Sequence, residues 1–484
     1  MLAYLFFAEM WERFSFYGMR ALLVLYLTKS FRFSDNAAYA IYGSYSALVY
    51  TTPVIGGLLA DRLLGYRKAV TLGAVLMALG HFAMAVESLP VFYFALALLI
   101  CGNGFFKPNI SSIVGRLYAE DDPRRDSAFT IFYMGINLGA LLSPIGCGYL
   151  GERYGWHWGF GLAGFGMLAG LVVFLRGQPL LEGIADPPEP AALKRAIVPG
   201  ISREIGVYAA CAAALFVVWE LIQHDKIVGG FLIAFGIVVL IGLLVFLFRL
   251  RERIERDRMG VALVLTLFSV VFWAFFEQAG TSMSLFTDRN VDRSVFGHLI
   301  RASQFQSVNP LFVLIFAPIF SALWLYLERR KSDPSTPLKF GLGILQLGLG
   351  FVALYFGAFS SRATGMVPMV WLVLGYLLHT TGELCLSPIG LSMITKLSPK
   401  SITGMMMGVW FLSSAFAQYM GSLIAQLTGV KGTGEGAAAT LPRATDTVMV
   451  YGSVFGGIAW VALGVGVLVL IASPLLSRRM HGIR

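Results

Sequence analysis

The stretch Glu9-Met10-Trp11-Glu12-Arg13-Phe14-Ser15-Phe16-Tyr17-Gly18-Met19-Arg20 sets four charges inside an apolar segment that runs from about Leu2 to Leu27. At ~100° per residue, Glu9, Glu12, Arg13, Phe16, Tyr17 and Arg20 fall on one helix face. A charge facing lipid at mid-bilayer costs several kcal/mol, so intramembrane charges turn toward a bundle interior or a water-filled cavity. The segment is therefore expected to be a membrane helix whose charged face lines a path for a solute or for protons. The alternative is an ion pair that only locks helices together; such a pair would not need further charges one turn to either side.

Composition agrees with a membrane setting. Of 484 residues 57% are hydrophobic and 13% charged, with a mean hydropathy of +0.74, far more apolar than a soluble globular chain. Stretches of roughly 20 apolar residues, enough to span a bilayer, fall at about 4–27, 38–60, 69–87, 91–115, 127–150, 157–175, 205–222, 228–248, 260–284, 306–327, 339–359, 366–395, 402–427 and 447–475. These predict an all-α membrane protein of fourteen helices with both termini on one side. The first span carries charge and lacks a basic leader and a small-residue cleavage site, so it reads as a permanent helix and not a signal peptide. With so little chain ahead of it, no leading tail is expected.

Of the 37 Lys and Arg residues, 24 lie in the connections on the side of the termini, 10 on the other side, and Arg13, Arg20 and Lys107 within spans. By the positive-inside rule both termini are predicted to be cytoplasmic. The net charge of +10 is then mostly a topology signal, and nucleic-acid binding has no soluble domain to carry it. Cys101, Cys147, Cys211 and Cys385 sit in apolar spans without paired spacing and read as small hydrophobes, neither a disulfide framework nor a metal site.

Two six-helix sets are separated by a segment rich in Pro and Ala, from Gln178 to Pro199, and by two extra spans; a charge-dense stretch, Arg249 to Arg258, leads into the ninth. The expected partition is a bundle over 1–176, a linker with the extra helix pair over 177–258, and a second bundle over 259–484. With the extra pair set aside, buried charge falls on the first helix, the fourth (Lys107), the seventh (Glu277) and the tenth (Glu383). That three-helix period suits two halves built from repeated units around one midplane site. Four carboxylates against three fixed cations leave one negative charge in excess, and a buried carboxylate without a full partner takes up a proton. The set also offers cations to a carboxylate and anions to an ammonium, which suits a zwitterion.

Three local stretches resemble signatures of the proton-dependent oligopeptide transporters, a branch of the major facilitator superfamily: Glu9-x-x-Glu12-Arg13-Phe14-x-Phe16-Tyr17-Gly18, Gly56 to Lys68, and Phe129 to Ala140. Gly102 to Asn109, Phe276 to Gly280 and Gly382 to Pro388 add to the likeness. The resemblance implies the major facilitator fold, with two six-helix bundles and an inserted helix pair as in bacterial members. It implies import of di- and tripeptides by proton-coupled symport across the bacterial cytoplasmic (inner) membrane, by a monomer in lipid, without a cofactor beyond the proton gradient.

By the same likeness, Arg13 and Lys107, with Arg20 nearby, would hold the peptide carboxylate, and Glu383 its amino terminus. Asn137, Asn309, Tyr17 and Tyr50 would hydrogen-bond the backbone, and Trp273 and Trp410 would wall side-chain pockets. Glu9, Glu12, Arg13 and Glu277 would take part in proton coupling, and Lys107 and Glu277 in a gating salt bridge. Two departures stand out: Phe16 replaces the first Tyr of the motif, and Gly43 stands where animal members carry a histidine, so coupling here is expected to rest on carboxylates.

Asp61, Arg62, Arg67 and Lys68 read either as a solvated helix end or as an Asp–Arg gate. His81 and His379 read as satisfied core histidines, although His379, one turn before Glu383, could relay a proton. Gly102 and Gly104 are better explained by close helix packing than by a phosphate loop, which needs a preceding strand. A carrier of another anionic solute on the same fold is the second reading. A membrane sensor or intramembrane enzyme is the third, and this chain shows neither a signalling domain nor a catalytic constellation to support it.

Overall fold

In the computed structural model, which describes residues 1–119, 122, 124–198, 201–430 and 443–483, the chain is built almost wholly of helices. They are α1 (Leu2–Lys29), α2 (Asp35–Leu59), α3 (Tyr66–Met84), α4 (Leu89–Arg116), α5 (Arg124–Tyr154), α6 (Trp156–Gly177), the short α7 (Pro190–Lys194), α8 (Arg203–Ile222) and α9 (Asp225–Arg249). There follow α10 (Arg253–Phe276), α11 (Ser282–Asn290), α12 (Val308–Arg329), α13 (Thr336–Ser360), α14 (Met369–Leu397), α15 (Thr403–Gln426) and α16 (Ala444–Arg479). A 3₁₀ turn over Glu277–Gly280 joins α10 to α11 in one span. Fourteen long helices therefore correspond to the fourteen predicted spans. Among the described residues eleven are long and apolar enough to cross a bilayer by length and composition alone; α1, α3 and α15 are the others, and α1 falls short because of the charges that single it out.

The chain divides into two compact units, Met1–Tyr26 with Ser44–Val228, and Leu27–Gly43 with Gly229–Arg484. In the first unit α3 packs on α4 and α6, and α4 also carries α8. Small residues bring α4 close to α2 and to α3. A Cβ on Gly56 would lie 2.1 Å from the Gly104 carbonyl oxygen, and one on Gly102 would lie 2.8 Å from that of Gly73. The glycines before Lys107 are thus helix contacts, as expected.

The predicted linker is laid against the start of α3. Gly65, at φ +72°, makes the turn between the π-helical end of α2 (Ala60–Leu64) and α3, and a Cβ there would strike the Pro187 nitrogen at 2.4 Å. Arg67 pairs with Asp186, Lys68 with Glu204 of α8, and the Tyr66 hydroxyl donates to Asp61 Oδ1 at 2.5 Å while accepting from Arg116. The charge run is therefore not merely solvated: it clamps the linker and α8. The Trp219 indole of α8 donates to the Pro90 carbonyl at 3.3 Å.

In the second unit α13 packs between α16 and α14, and α10 lies against α15 and α14. Among the described residues there are three two-stranded pairings, including a parallel one between Val291–Asp292 and Val367–Pro368. Gly43 meets α15 so closely that a Cβ would lie 2.0 Å from Ser422 Oγ. A side chain at Gly43 would require Ser422 to move.

Candidate functional site

The charged face of α1 is folded inward. Glu9, Glu12 and Arg13 are 2%, 0% and 3% exposed. Arg13 Nε lies 3.1 Å from Glu9 Oε1, the i,i+4 partner on the helix, and also pairs with Glu12 Oε2. One guanidinium thus serves two carboxylates, and Arg13 Nη2 and Glu9 Oε2 have no hydrogen-bond partner. The backbone around the cluster is brought close by Gly139 of α5, where a Cβ would lie 2.2 Å from the Met10 carbonyl oxygen. Any larger residue in that signature would push α5 off the cluster.

Further along the face, Arg13 lies over the Phe16 ring at 5.3 Å and Arg20 over Tyr17 at 5.7 Å. Lys107 of α4 lies over the Tyr50 ring at 4.6 Å. Asn137 of α5 is buried and donates to the Tyr133 carbonyl at 3.0 Å. Asn103 received no role from the sequence, yet its Nδ2 donates to Glu12 Oε1 at 3.4 Å. The available signal was its spacing: it stands four residues before Lys107, on the same helix face.

In the second unit Glu277 opens the 3₁₀ turn and is buried. The turn is fastened by Gln278, which donates to the Gly421 carbonyl of α15 at 2.8 Å and accepts from Ser282 Oγ at 2.6 Å. Glu383 of α14 accepts from Asn309 Nδ2 at 3.0 Å, and that amide also donates to Thr380 Oγ1 at 2.9 Å. Asn309, expected to face substrate backbone, here orients the carboxylate. Trp273 packs edge-on against Phe272 and Phe276, and the Trp410 ring lies over Gly390, where a Cβ would meet it at 2.5 Å.

The two histidines are buried as expected; His81 is not satisfied, a correction to the sequence reading, and His379 is satisfied on one side only. Both ring nitrogens of His81 and Nε2 of His379 have no hydrogen-bond partner. His379 sits 4.6 Å from the Phe351 ring.

One buried pair escaped the sequence reading altogether. Asp35, at the start of α2, takes both Nη groups of Arg289 in α11, at 2.6 and 2.7 Å. Arg289 also donates to the Tyr451 hydroxyl at 3.1 Å, and the Val430 amide donates to Asp35 at 3.2 Å. Beside it Lys29 pairs with Asp288 at 2.6 Å. These residues lie at helix ends, where charges are counted for topology before pairing is considered.

The profile of the POT family, PTR2, matches residues 67–442. The chain is 40% identical to the "Uncharacterized transporter YclF" of Bacillus subtilis, over 99% of this chain and 94% of that protein. It is 33% identical to the "Dipeptide and tripeptide permease B" of Salmonella typhimurium, over 99% and 95%. A crystal structure of a variant of the peptide transporter POT in complex with alafosfalin superposes with a TM-score of 0.82 at 36% identity, covering 99% of this chain and 96% of that one. This chain, an integral membrane transporter and not an enzyme, belongs to the POT family of peptide transporters.

Proposed function

We propose that the chain is a proton-coupled symporter that imports di- and tripeptides by alternating access across the bacterial cytoplasmic membrane, with both termini cytoplasmic, and that it works as a monomer. The observation that carries this reading is the α1 cluster, in which two buried carboxylates share one guanidinium while Arg13 Nη2 and Glu9 Oε2 stay open. An open guanidinium nitrogen in a desolvated site is the donor that a peptide carboxylate needs, and charge-assisted hydrogen bonds are roughly twice as strong as neutral ones. Two carboxylates on one cation leave a place for a proton. Glu383, oriented by Asn309, supplies the complement of an ammonium. The relative named for dipeptides and tripeptides supports the substrate class.

Competition for uptake among dialanine, its C-terminal amide and its N-acetyl form tests the two-ended recognition. Dialanine is expected to compete more than tenfold better than either blocked form, since losing one partner of a buried charged pair costs about 2–5 kcal/mol. Glu383→Gln should erase the preference over the N-acetyl form and leave the preference over the amide. Equal inhibition by all three in the unaltered protein overturns the zwitterion reading and favours a carrier of another anionic solute.

A further inference from the structure

A second charged cavity, of about 820 Å³, lies in the second unit among the ends of α12, α13, α14 and α16. Four cations line it, each from a different segment: Lys331 after α12, Lys339 in α13, Lys396 in the last turn of α14 and Arg478 in the last turn of α16. Glu328 and Asp333 are the acids in its wall, which leaves two positive charges in excess. Lys339 is already matched: it is 8% exposed, lies 2.9 Å from Asp333 and stacks over the Trp324 ring at 4.5 Å. Among the described residues Lys331, Lys396 and Arg478 enter no ion pair. The first turn of α13, in the same wall, has no side-chain cap on its amides.

The rest of the wall mixes hydroxyl side chains, Ser335, Thr336 and Ser392 among them, with apolar ones such as Trp324 and Leu325, and an apolar track lies along α12. Leu311, Ile315, Ile319 and Leu323 recur every four residues along α12 and are all exposed, a continuous stripe on one helix face that ends beside Trp324 and Leu325 of the cavity. Scattered basic residues would satisfy the positive-inside rule equally well; convergence from four segments on one concavity, at the head of an exposed apolar stripe, is a different arrangement. Basic pockets between membrane helices bind phosphorylated head groups.

We propose that this cavity holds the phosphate head group of an anionic phospholipid, with its acyl chains along the α12 stripe. A soluble phosphate would use the same cations but has no use for the stripe. The proposal is independent of what the chain transports.

Native mass spectrometry of the purified full chain, with dioleoyl phosphatidylglycerol or dioleoyl phosphatidylcholine added, tests it. The unaltered protein is expected to retain phosphatidylglycerol in preference. Lys331→Gln, Lys396→Gln and Arg478→Gln should each weaken that preference by roughly fivefold, and the triple variant should abolish it, whereas Lys226→Gln should leave it intact. The single variants keep the test open where the triple variant fails to fold. Retained preference in the folded triple variant, or in all three single variants, overturns the proposal. So does inorganic phosphate or glycerol 3-phosphate protecting the protein from heat as well as phosphatidylglycerol at equal concentration, which would mark a soluble-anion site.

Discussion

The Asp35–Arg289 pair and the Glu9–Glu12–Arg13 cluster are both buried ion pairs, and they are completed differently. In the first, two nitrogens meet two oxygens, and the Tyr451 hydroxyl and Val430 amide occupy further positions around them. In the second, Nε is shared between two carboxylates, and Arg13 Nη2 and Glu9 Oε2 remain without partners. A bidentate Arg–carboxylate pair with its lone pairs filled is a fixture. A buried charged group with open positions carries a desolvation cost that only a ligand or a proton can relieve. The difference separates a latch from a site: the latch fastens the α1–α2 connection to α11, and the cluster is left incomplete so that it can accept something.

Removing one side of each assembly should break the comparison open. The largest effect on folding is expected at the latch. Asp35→Ala strands the largely buried Arg289, at a cost approaching about 3–5 kcal/mol, and should lower the thermal midpoint of the detergent-purified protein more than Glu12→Gln does in the α1 cluster. Replacing both partners together, as Asp35→Leu with Arg289→Met, should recover much of that loss. A latch variant as stable as the unaltered protein would show that the two assemblies do not differ in the way argued.

At the cluster the large effect should be on binding. Arg13→Gln removes the open donor, and dialanine affinity should fall more than tenfold, consistent with about 2–5 kcal/mol for truncating a buried charged pair; calorimetric titration reads it directly. The smallest effect is expected for Glu12→Gln on stability. The amide keeps an oxygen for Asn103, and Arg13 keeps Glu9 at 3.1 Å, so the midpoint should move by no more than about 1 kcal/mol equivalent.

Much of this was legible in the sequence. The fourteen spans followed from apolar length, and the α1 face from four charges at helical spacing inside an apolar run, a pattern that has few physical solutions in a bilayer. The glycines before Lys107 read correctly as contacts because small residues let helices approach. What escaped was pairing between distant segments. Asp35 and Arg289 are 254 positions apart and sit at helix ends, where an isolated charge is unremarkable. Asn309 was assigned to substrate because its amide could serve either a ligand or a neighbour, and only the fold shows Glu383 3.0 Å away. His81 misled for a related reason: sequence shows that a residue is buried, but not whether a partner faces it.

The most direct measurement is uptake of labelled dialanine into proteoliposomes under an imposed pH gradient, set beside counterflow without a gradient, for the unaltered protein and Glu12→Gln. If the α1 cluster is the proton-accepting site, Glu12→Gln abolishes accumulation against the peptide gradient and leaves counterflow near normal, since exchange requires no net proton movement. Accumulation by Glu12→Gln at the unaltered level would contradict the account and place coupling outside this carboxylate.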